Sequence, residues 1–407
     1  MSIFREIPPT AGLPIYLKDF LSLLKPGSLE GDLKNYLGFE FIRVTYSGTA
    51  ALYLILESLK ELSSKKSVII PAYVCPLVPL AIKRAGLKVE VCDIENDSFD
   101  FDLHALENLC STNSDILAVV AVHLAGISLD FAPLEKIVKR HEIFIIEDCA
   151  QSLGATYRGQ KTGTLGDFSF FSLCRGKGLT IYEGGVAATN KKEYAQILDT
   201  KIDLLVKGDL VSESLKILEL FGYWVFYRPF LFWLVFRFPQ IFWNLRGNRL
   251  KALTEYFTVG FPIHRVSNVR KSIGHAAFYR LEREIDKQRE KVLFYLDGLK
   301  GIKGIKVIKE LPDTRAIYPY LTLIFDESKV RDKALKLFEY SGLGVFLIYA
   351  CAISDYDYLK EIVPARPCPN ARYLASRTIT LTTSTFLNKK DLALVLSIIQ
   401  EKLHLTT

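Results

Sequence analysis

Short apolar runs alternate with segments of helical periodicity through the first half of the chain. Six runs have the length and composition of buried strands, at residues 41–44, 68–70, 88–92, 116–122, 144–146 and 168–171. Between them apolar residues recur at helical spacing, as Leu52, Leu59 and Leu62 do after the first run. The alternation of strand and helix from residue 40 to residue 190 predicts a mostly parallel sheet covered by helices on both faces.

The pattern after residue 190 predicts a different architecture. Residues 191–214 are charged and favour a helix. The later periodicity predicts helices at 281–295 and 333–341 and strands at 305–308 and 318–325. We therefore predict a large α/β domain at residues 1–270 and a small α+β domain at residues 271–407.

A strongly aromatic stretch at residues 217–245 lies inside a predicted insertion at 215–250 and holds all 3 tryptophans of the chain. Arginines and prolines interrupt it, so each apolar run is shorter than the roughly 20 residues of a spanning helix. The interrupting residues are Arg228, Pro229, Arg237 and Pro239, and the basic residues that follow are Arg246, Arg249 and Lys251. Aromatic residues beside cations predict contact with a membrane surface, and a buried hairpin or a dimer interface is the alternative.

Composition narrows the class of protein. The formal charge of +7 arises from 52 basic and 45 acidic residues that form no long basic run, which disfavours a nucleic-acid binder. The 7 cysteines lack metal-site spacing and favour reduced thiols. The N-terminal residues do not resemble a signal peptide. We expect a cytoplasmic protein attached peripherally to the cytoplasmic face of a membrane.

Two strand ends carry residues with catalytic potential. Glu147 and Asp148 follow the run at 144–146, and Lys177 lies between two glycines shortly after the run at 168–171. Ligands of open α/β sheets bind beyond the carboxyl ends of the strands. A carboxylate and a lysine at such ends suit pyridoxal 5′-phosphate (PLP), which needs a lysine for its covalent attachment and a carboxylate beside its pyridine nitrogen. A capping turn and a solvent-facing lysine are the alternative.

A third strand leads into a helix through Ser47, Gly48 and Thr49. Free backbone N–H groups and the positive end of the helix dipole make such a junction a potential phosphate site. An ordinary N-cap is the alternative. His123 also follows a strand, and it is either a ligand contact or a satisfied structural group.

The amino-acid sequences of these motifs resemble those of one family. The segments are Ser47-Gly48-Thr49-Ala50-Ala51-Leu52, Asp148-Cys149-Ala150-Gln151-Ser152-Leu153-Gly154-Ala155, Gly166-Asp167, Phe171-Ser172, Lys177-Gly178-Leu179-Thr180 and Glu183-Gly184-Gly185. Their order and spacing are similar to those of the DegT/StrS-type sugar aminotransferases. The resemblance implies a fold type I PLP enzyme whose large domain has a mostly parallel, seven-stranded sheet.

The resemblance also implies roles for single residues. Lys177 would bind PLP covalently and Asp148 would pair with its pyridinium, while Gln151 would reach the phenolic oxygen. The phosphate would be held by Gly48, Thr49 and Ser172, and by Asn268 from the partner subunit. Tyr73 is the candidate to stack on the ring, although its surroundings depart from the family's usual wording. The Thr-rich segment at residues 377–386 also departs from the family, so no sugar contact is assigned there.

The resemblance implies that the enzyme transfers an amino group from an amino acid, with glutamate expected, to a nucleotide-linked keto sugar. It also implies a homodimer in which the two subunits share their active sites. Three alternatives stay open. A lipid-linked acceptor would use the same chemistry. A non-catalytic membrane-associated scaffold or regulator would keep the fold. Related PLP-dependent dehydratases replace the covalent lysine with histidine, so Lys177 disfavours that class.

Overall fold

The computed structural model describes residues 4–21, 27–247, 249–253 and 255–402. Its largest sheet has seven strands in the order β1-β9-β8-β5-β4-β2-β3. The strands of this sheet are β1 Phe41–Thr45, β2 Ser67–Pro71, β3 Lys88–Cys92, β4 Ile116–Val122, β5 Phe144–Asp148, β8 Phe168–Ser172 and β9 Gly185–Thr189. The neighbours from β8 to β3 run parallel, and β9 is antiparallel to both β8 and β1. The predicted mostly parallel sheet is confirmed.

Two smaller sheets accompany it. The first has the order β10-β12-β13 and is antiparallel, with β10 at Ile305–Ile308, β12 at Tyr320–Phe325 and β13 at Thr378–Thr382. The second has the order β11-β6-β7, with β6 at Thr156–Tyr157, β7 at Gln160–Lys161 and β11 at Thr314–Arg315. The second sheet joins a loop of the large sheet to the C-terminal region.

Helices connect and cover the strands. They are α1 Leu17–Leu21, α2 Leu29–Leu37, α3 Gly48–Leu62, α4 Leu77–Arg84, α5 Leu103–Thr112, α6 Phe131–Arg140, α7 Lys192–Leu205, α8 Leu210–Phe226, α9 Pro229–Phe232, α10 Phe238–Leu245, α11 Arg249–Ala252, α12 Asn268–Phe278, α13 Leu281–Gly298, α14 Ser328–Phe338, α15 Pro369–Arg377 and α16 Lys389–Ser397. Short 3₁₀ turns lie at 124–126, 353–355 and 357–359, and π-helical turns lie at 233–237 and 398–402.

Burial on both faces of the central sheet explains why six of its seven strands were predicted from the sequence. The seventh, β9, was not predicted, since it has one large apolar residue among glycine, alanine and threonine. Every residue of β2, β4, β8 and β9 is buried. Helices pack on both sides of a parallel sheet, so its strands read as continuous apolar runs.

Several predicted boundaries differ from the structure, and three of the differences have a clear local cause. The strand predicted from residue 318 begins at Tyr320, because Tyr318 has a positive φ of 47° and Pro319 has no N–H for a ladder. The helix predicted at 333–341 spans Ser328–Phe338, since its charged first turn hides the period. The helix predicted at 191–214 is two helices, and Asp209 caps the second by accepting a hydrogen bond from the Ser212 N–H at 2.9 Å.

The aromatic stretch is helical and packs on its own chain through one side. We call residues 210–245, from α8 to α10, the aromatic segment. Leu220, Tyr223 and Tyr227 on and just after α8 are buried in the core beside the Lys177 loop. Arg237 forms a buried ion pair with Glu6 at 2.8 Å. This inner side of the segment is therefore buried, as the alternative of a buried hairpin predicts, and the other side is not. Within the described ranges, no helix combines the length and apolar character needed to cross a membrane.

Candidate active site

The sheet brings six of the eight predicted site residues into one cavity at the carboxyl ends of its strands. This cavity has a volume of about 160 Å³. The six residues in its lining are Gly48, Thr49, Asp148, Gln151, Ser172 and Lys177. They come from the ends of β1, β5 and β8, which are separated in sequence but lie at one edge of the sheet. This is the edge at which α/β sheets bind ligands.

Asp148 ends β5 and is almost completely buried, with 5% of its surface exposed. Its Oδ1 accepts a hydrogen bond from the Ala150 N–H at 2.9 Å. Burial raises the pKa of the Asp148 carboxyl to about 6, and this hydrogen bond and the nearby Lys177 amine oppose the rise. A buried carboxylate whose direct hydrogen bond comes from a neutral amide suits a ligand that brings a positive charge of its own, as a protonated pyridine nitrogen does.

Lys177 lies in the loop after β8, and backbone contacts fix the loop on both sides of it. Gly176 has a φ of 77°, which a residue with a side chain adopts only with strain. The Gly176 carbonyl accepts a hydrogen bond from the Thr10 hydroxyl at 2.8 Å, and the Lys177 carbonyl accepts one from the Leu13 N–H at 3.0 Å. The N-terminal residues therefore hold the backbone from which the lysine amine reaches the cavity.

The start of α3 forms a polar part of the cavity lining. The Ser47 hydroxyl caps the helix by accepting a hydrogen bond from the Ala50 N–H at 3.0 Å. A side chain at position 48 would approach the Ser172 Cβ to 3.3 Å, so glycine leaves the room that an anionic group would fill. Gly185 on β9 allows this approach, because a Cβ there would lie 2.3–2.4 Å from the Ser47–Gly48 backbone. Backbone N–H groups and the helix dipole fit a phosphate.

Gln151 is oriented by two residues that the sequence prediction missed. Its Oε1 accepts hydrogen bonds from the Ala125 N–H at 3.1 Å and from the Tyr320 hydroxyl at 2.5 Å. Its Nε2 lies 3.5 Å from the hydroxyl of Tyr349, which also lines the cavity. Burial raises the pKa of both tyrosines, so both hydroxyls keep their protons. Both tyrosines come from the C-terminal region and lie in no motif, and the strand predicted at 318–325 was the only signal for Tyr320.

His123 is a buried group with partners at both ring nitrogens. Its Nδ1 accepts a hydrogen bond from the Leu129 N–H at 3.3 Å, so its Nε2 is free to donate to the Glu147 carboxylate at 2.9 Å. Glu147 also accepts bonds from the N–H groups of Gly163, Leu165 and Gly166 at 2.6–2.7 Å. The hydrogen bonds favour the structural interpretation of His123, although its ring is part of the cavity lining.

Tyr73 and Asn268 lie outside the lining of this cavity. The ring of Tyr73 is buried against Phe99, with ring centroids 6.3 Å apart, and its hydroxyl meets the backbone of Tyr349. Tyr73 thus packs behind Tyr349, and its predicted stacking on the cofactor stays a prediction. Asn268 begins α12 and lines a different cavity, of about 370 Å³, together with Tyr46 and Lys271.

Comparisons with known proteins agree with this site. The family described as the DegT/DnrJ/EryC1/StrS aminotransferase family matches residues 25–209 and 245–400. The two matched ranges leave out 210–244, which is nearly the whole aromatic segment.

Two curated relatives are similar in sequence. The UDP-4-amino-4,6-dideoxy-N-acetyl-beta-L-altrosamine transaminase of Campylobacter jejuni is 25% identical over 375 residues, which are 90% of this chain and 86% of that protein. The GDP-perosamine synthase of Caulobacter vibrioides is 32% identical over 161 residues, which are 40% of this chain and 43% of that protein. Alignments with several other relatives likewise span less than half of those proteins.

One solved structure illustrates the shared fold. The Helicobacter pylori aminotransferase PseC, involved in the biosynthesis of pseudoaminic acid, superposes with a TM-score of 0.76 at 18% identity. The superposition covers 98% of this chain and 99% of that one.

Proposed function

Because this chain belongs to the DegT/DnrJ/EryC1/StrS aminotransferase family, we propose that it transfers an amino group from an amino acid to a keto sugar. PLP is the cofactor. The observation that carries the proposal is the meeting of Lys177 and Asp148 in one cavity that the start of α3 also lines. PLP, when bound, supplies an electron sink that stabilises negative charge at the carbon that loses a proton.

Each residue of the cavity has a proposed part in this chemistry. The Lys177 amine holds the cofactor covalently and then moves the proton at the donor Cα as general base and acid. Asp148 keeps a positive charge on the pyridine nitrogen. The N–H groups of α3, with Ser172 and Thr49, hold the phosphate, and the Gln151 amide orients the phenolic oxygen.

We further propose glutamate as the donor and a nucleotide-linked keto sugar as the acceptor, in a homodimer whose partner subunit contributes Asn268. The names of the Campylobacter and Caulobacter relatives support a nucleotide-linked acceptor. The second candidate acceptor is a lipid-linked keto sugar. The exposed apolar surface of the aromatic segment supports it, together with the proposed peripheral attachment to a membrane on its cytoplasmic face.

Amine transfer from glutamate to a panel of soluble and lipid-linked keto sugars tests the proposal. We expect 2-oxoglutarate to form with at least one acceptor and Lys177→Ala to abolish its formation. Equal formation by Lys177→Ala and the unchanged protein would contradict the proposed reaction. Transfer to the lipid-linked acceptors alone would select the second candidate.

A further inference from the structure

The outer side of the aromatic segment is the most apolar exposed surface in the described part of the chain. The segment carries 12 of the 23 exposed large apolar side chains there. The twelve residues, which we call the outer face, are Leu210, Val211, Leu215, Leu218, Phe221, Phe226, Phe230, Leu234, Val235, Phe238, Phe242 and Leu245. Val211, Leu215 and Leu218 recur at helical spacing on α8, and Phe238, Phe242 and Leu245 do so on α10. Each of these helices therefore exposes an apolar side, and exposed apolar surface marks sites of interaction with a protein or a membrane.

The charged residues of the segment are all engaged with the rest of the protein. Glu213 and Arg237 are buried, the first against Arg270 and the second against Glu6. Lys216 pairs with Glu183 at 2.8 Å and with Glu219 at 2.7 Å. Arg228 donates hydrogen bonds to two backbone carbonyls, at 2.9 Å each. The charged side chains of the segment therefore all have partners, and the partly exposed Glu219 is held by Lys216.

Cations stand at the C-terminal edge of the outer face. The Arg246 guanidinium lies 4.3 Å from the centre of the Phe242 ring, and the Lys251 amine lies 4.6 Å from the centre of the Trp243 ring. The Arg249 side chain, predicted as part of this basic edge, lies outside the described residues. Aromatic rings beside cations are the arrangement found where proteins meet phospholipid headgroups.

The segment differs in sequence from the family model, and its geometry fits a surface rather than a span. The family match omits 210–244. The helices α8, α9 and α10 are too short or too interrupted to cross a bilayer, in line with the absence of a spanning helix from the described ranges. Helices that lie in the plane of a membrane bury one apolar side and keep the other on the protein or in water.

We propose that the outer face docks onto a lipid bilayer that contains anionic lipids, with Arg246 and Lys251 against the headgroups. A protein partner would leave the edge cations unexplained, whereas anionic lipid complements them. The inference rests on the proposed peripheral attachment and is independent of the amine-transfer chemistry.

Binding to vesicles tests the docking directly. The purified full chain is mixed with vesicles of phosphatidylcholine alone or of equal parts phosphatidylcholine and phosphatidylglycerol, and bound protein is separated by flotation. We expect binding to the mixed vesicles that salt weakens. The double variant Leu218→Asp with Phe238→Asp should bind about a hundredfold more weakly, since each substitution removes an apolar contact worth about tenfold.

A second pair of exposed leucines provides the matched control. Leu204 and Leu293 are each 66% exposed, close to the 65% of Leu218, and they lie on α7 and α13, which are not part of the aromatic segment. Leu204→Asp with Leu293→Asp should bind vesicles within about twofold of the unchanged protein, because neither residue belongs to the outer face. Arg246→Glu should weaken binding to the mixed vesicles about fivefold and leave binding to phosphatidylcholine unchanged.

Two results would overturn the docking. One is an unchanged protein that binds neither kind of vesicle, and the other is equal binding by the outer-face variant and its control. Sedimentation distinguishes the rival occupant: if Leu218→Asp with Phe238→Asp separates a dimer into monomers and no vesicle is bound, a second copy covers the face. If the protein binds vesicles but transfers no amine, the proposed reaction is contradicted and the proposed docking is not.

Discussion

The burial and the pKa of the Asp148 carboxyl indicate which kind of ligand it binds. In the structure its carboxyl has one backbone hydrogen bond, and burial raises its pKa to about 6. Ionising it without a cationic partner therefore destabilises the folded protein. The same isolation makes the carboxylate effective when a protonated pyridine nitrogen stands beside it, because the pair is shielded from water.

The pH dependence of stability in the cofactor-free protein measures this isolation. The folded pKa of Asp148 lies above the unfolded value, so the folded state is penalised at high pH and the penalty disappears as pH falls from about 6 to about 4. Asp148→Asn should unfold with a free energy about 3 kcal/mol larger than the unchanged protein at neutral pH and with an equal one near pH 4.

Denaturant unfolding of both proteins across this pH range provides the measurement, with Asp203→Asn as the control. Asp203 is mostly exposed, so its substitution should leave the pH profile of stability unchanged. A constant difference between Asp148→Asn and the unchanged protein at every pH would mean that the carboxyl is not isolated.

Sequence reasoning located residues at strand ends and missed residues held by tertiary contact. Asp148 was found because it ends an apolar run, whereas the role of Ser172 came from the family resemblance. The parallel register places both strand ends at one edge. Tyr349 lies in a C-terminal stretch outside the regular elements, and only folding brings it to Gln151. The partners of His123 were not predicted either, because Leu129 lies in a loop and the pairing with Glu147 on β5 depends on the packing of neighbouring strands.

At the scale of elements, the extended N-terminal stretch joins the aromatic segment to the Lys177 loop. Its backbone accepts hydrogen bonds from the hydroxyls of Tyr223 and Tyr227, at 3.5 and 3.3 Å. On the other side it donates to the carbonyls of Gly176 and Lys177. The inner side of the aromatic segment therefore supports the backbone that presents the lysine.

Gly12 lies where the N-terminal stretch packs between the aromatic segment and the Lys177 loop. A Cβ there would lie 2.6 Å from the Tyr227 hydroxyl and 2.7 Å from the Gly176 Cα. We expect Gly12→Ala to destabilise the protein by about 1–3 kcal/mol through overpacking and to weaken the retention of PLP by displacing the Lys177 loop. Thermal unfolding and the dialysis loss of bound PLP measure the two effects.

At Gly222, on α8 in the aromatic segment, we expect an alanine substitution to have the opposite effect on stability. A Cβ there meets no atom within 4 Å, so Gly222→Ala should stabilise the helix by about 0.5–1 kcal/mol and leave PLP retention unchanged. Equal PLP retention by the Gly12 and Gly222 variants would show that the N-terminal stretch does not position the lysine.

The fold class could be predicted from the strands and helices in the sequence, and the ends of these elements were harder to predict. Continuous apolar runs identify buried parallel strands whatever their neighbours are. The start of β12 depended on the backbone of Tyr318 and Pro319, and the split between α7 and α8 depended on one side-chain cap, Asp209. The aromatic segment was set apart by composition, but its division into an inner and an outer side required the tertiary structure.

For the whole molecule, the cavity around Asn268 bears on the proposed homodimer. Asn268 does not line the Lys177 cavity of its own chain, as expected of a residue that serves a partner subunit. If it completes the partner's phosphate site, Lys177→Ala and Asn268→Asp place their defects in different sites of a mixed dimer. One site then carries both defects and the other carries neither.

Co-expression of the two variants tests this sharing. Mixed dimers, isolated with two different tags, should recover up to about half of the unchanged rate, because one of the two sites is intact. Each variant alone should be nearly inactive, and the carboxylate introduced by Asn268→Asp should also weaken PLP binding by like-charge repulsion. Mixed dimers without activity would place Asn268 in its own subunit's site or in none.

The attachment of PLP to Lys177 is the central claim, and one chemical measurement addresses it directly. Purified protein loaded with PLP is reduced with borohydride, digested, and mapped by mass spectrometry. The pyridoxyl group should appear on Lys177 in the unchanged protein and in Lys161→Ala, a control in a lysine outside the cavity, and no site should be labelled stoichiometrically in Lys177→Ala. Stoichiometric labelling of another lysine, or undiminished labelling in Lys177→Ala, would contradict the assignment.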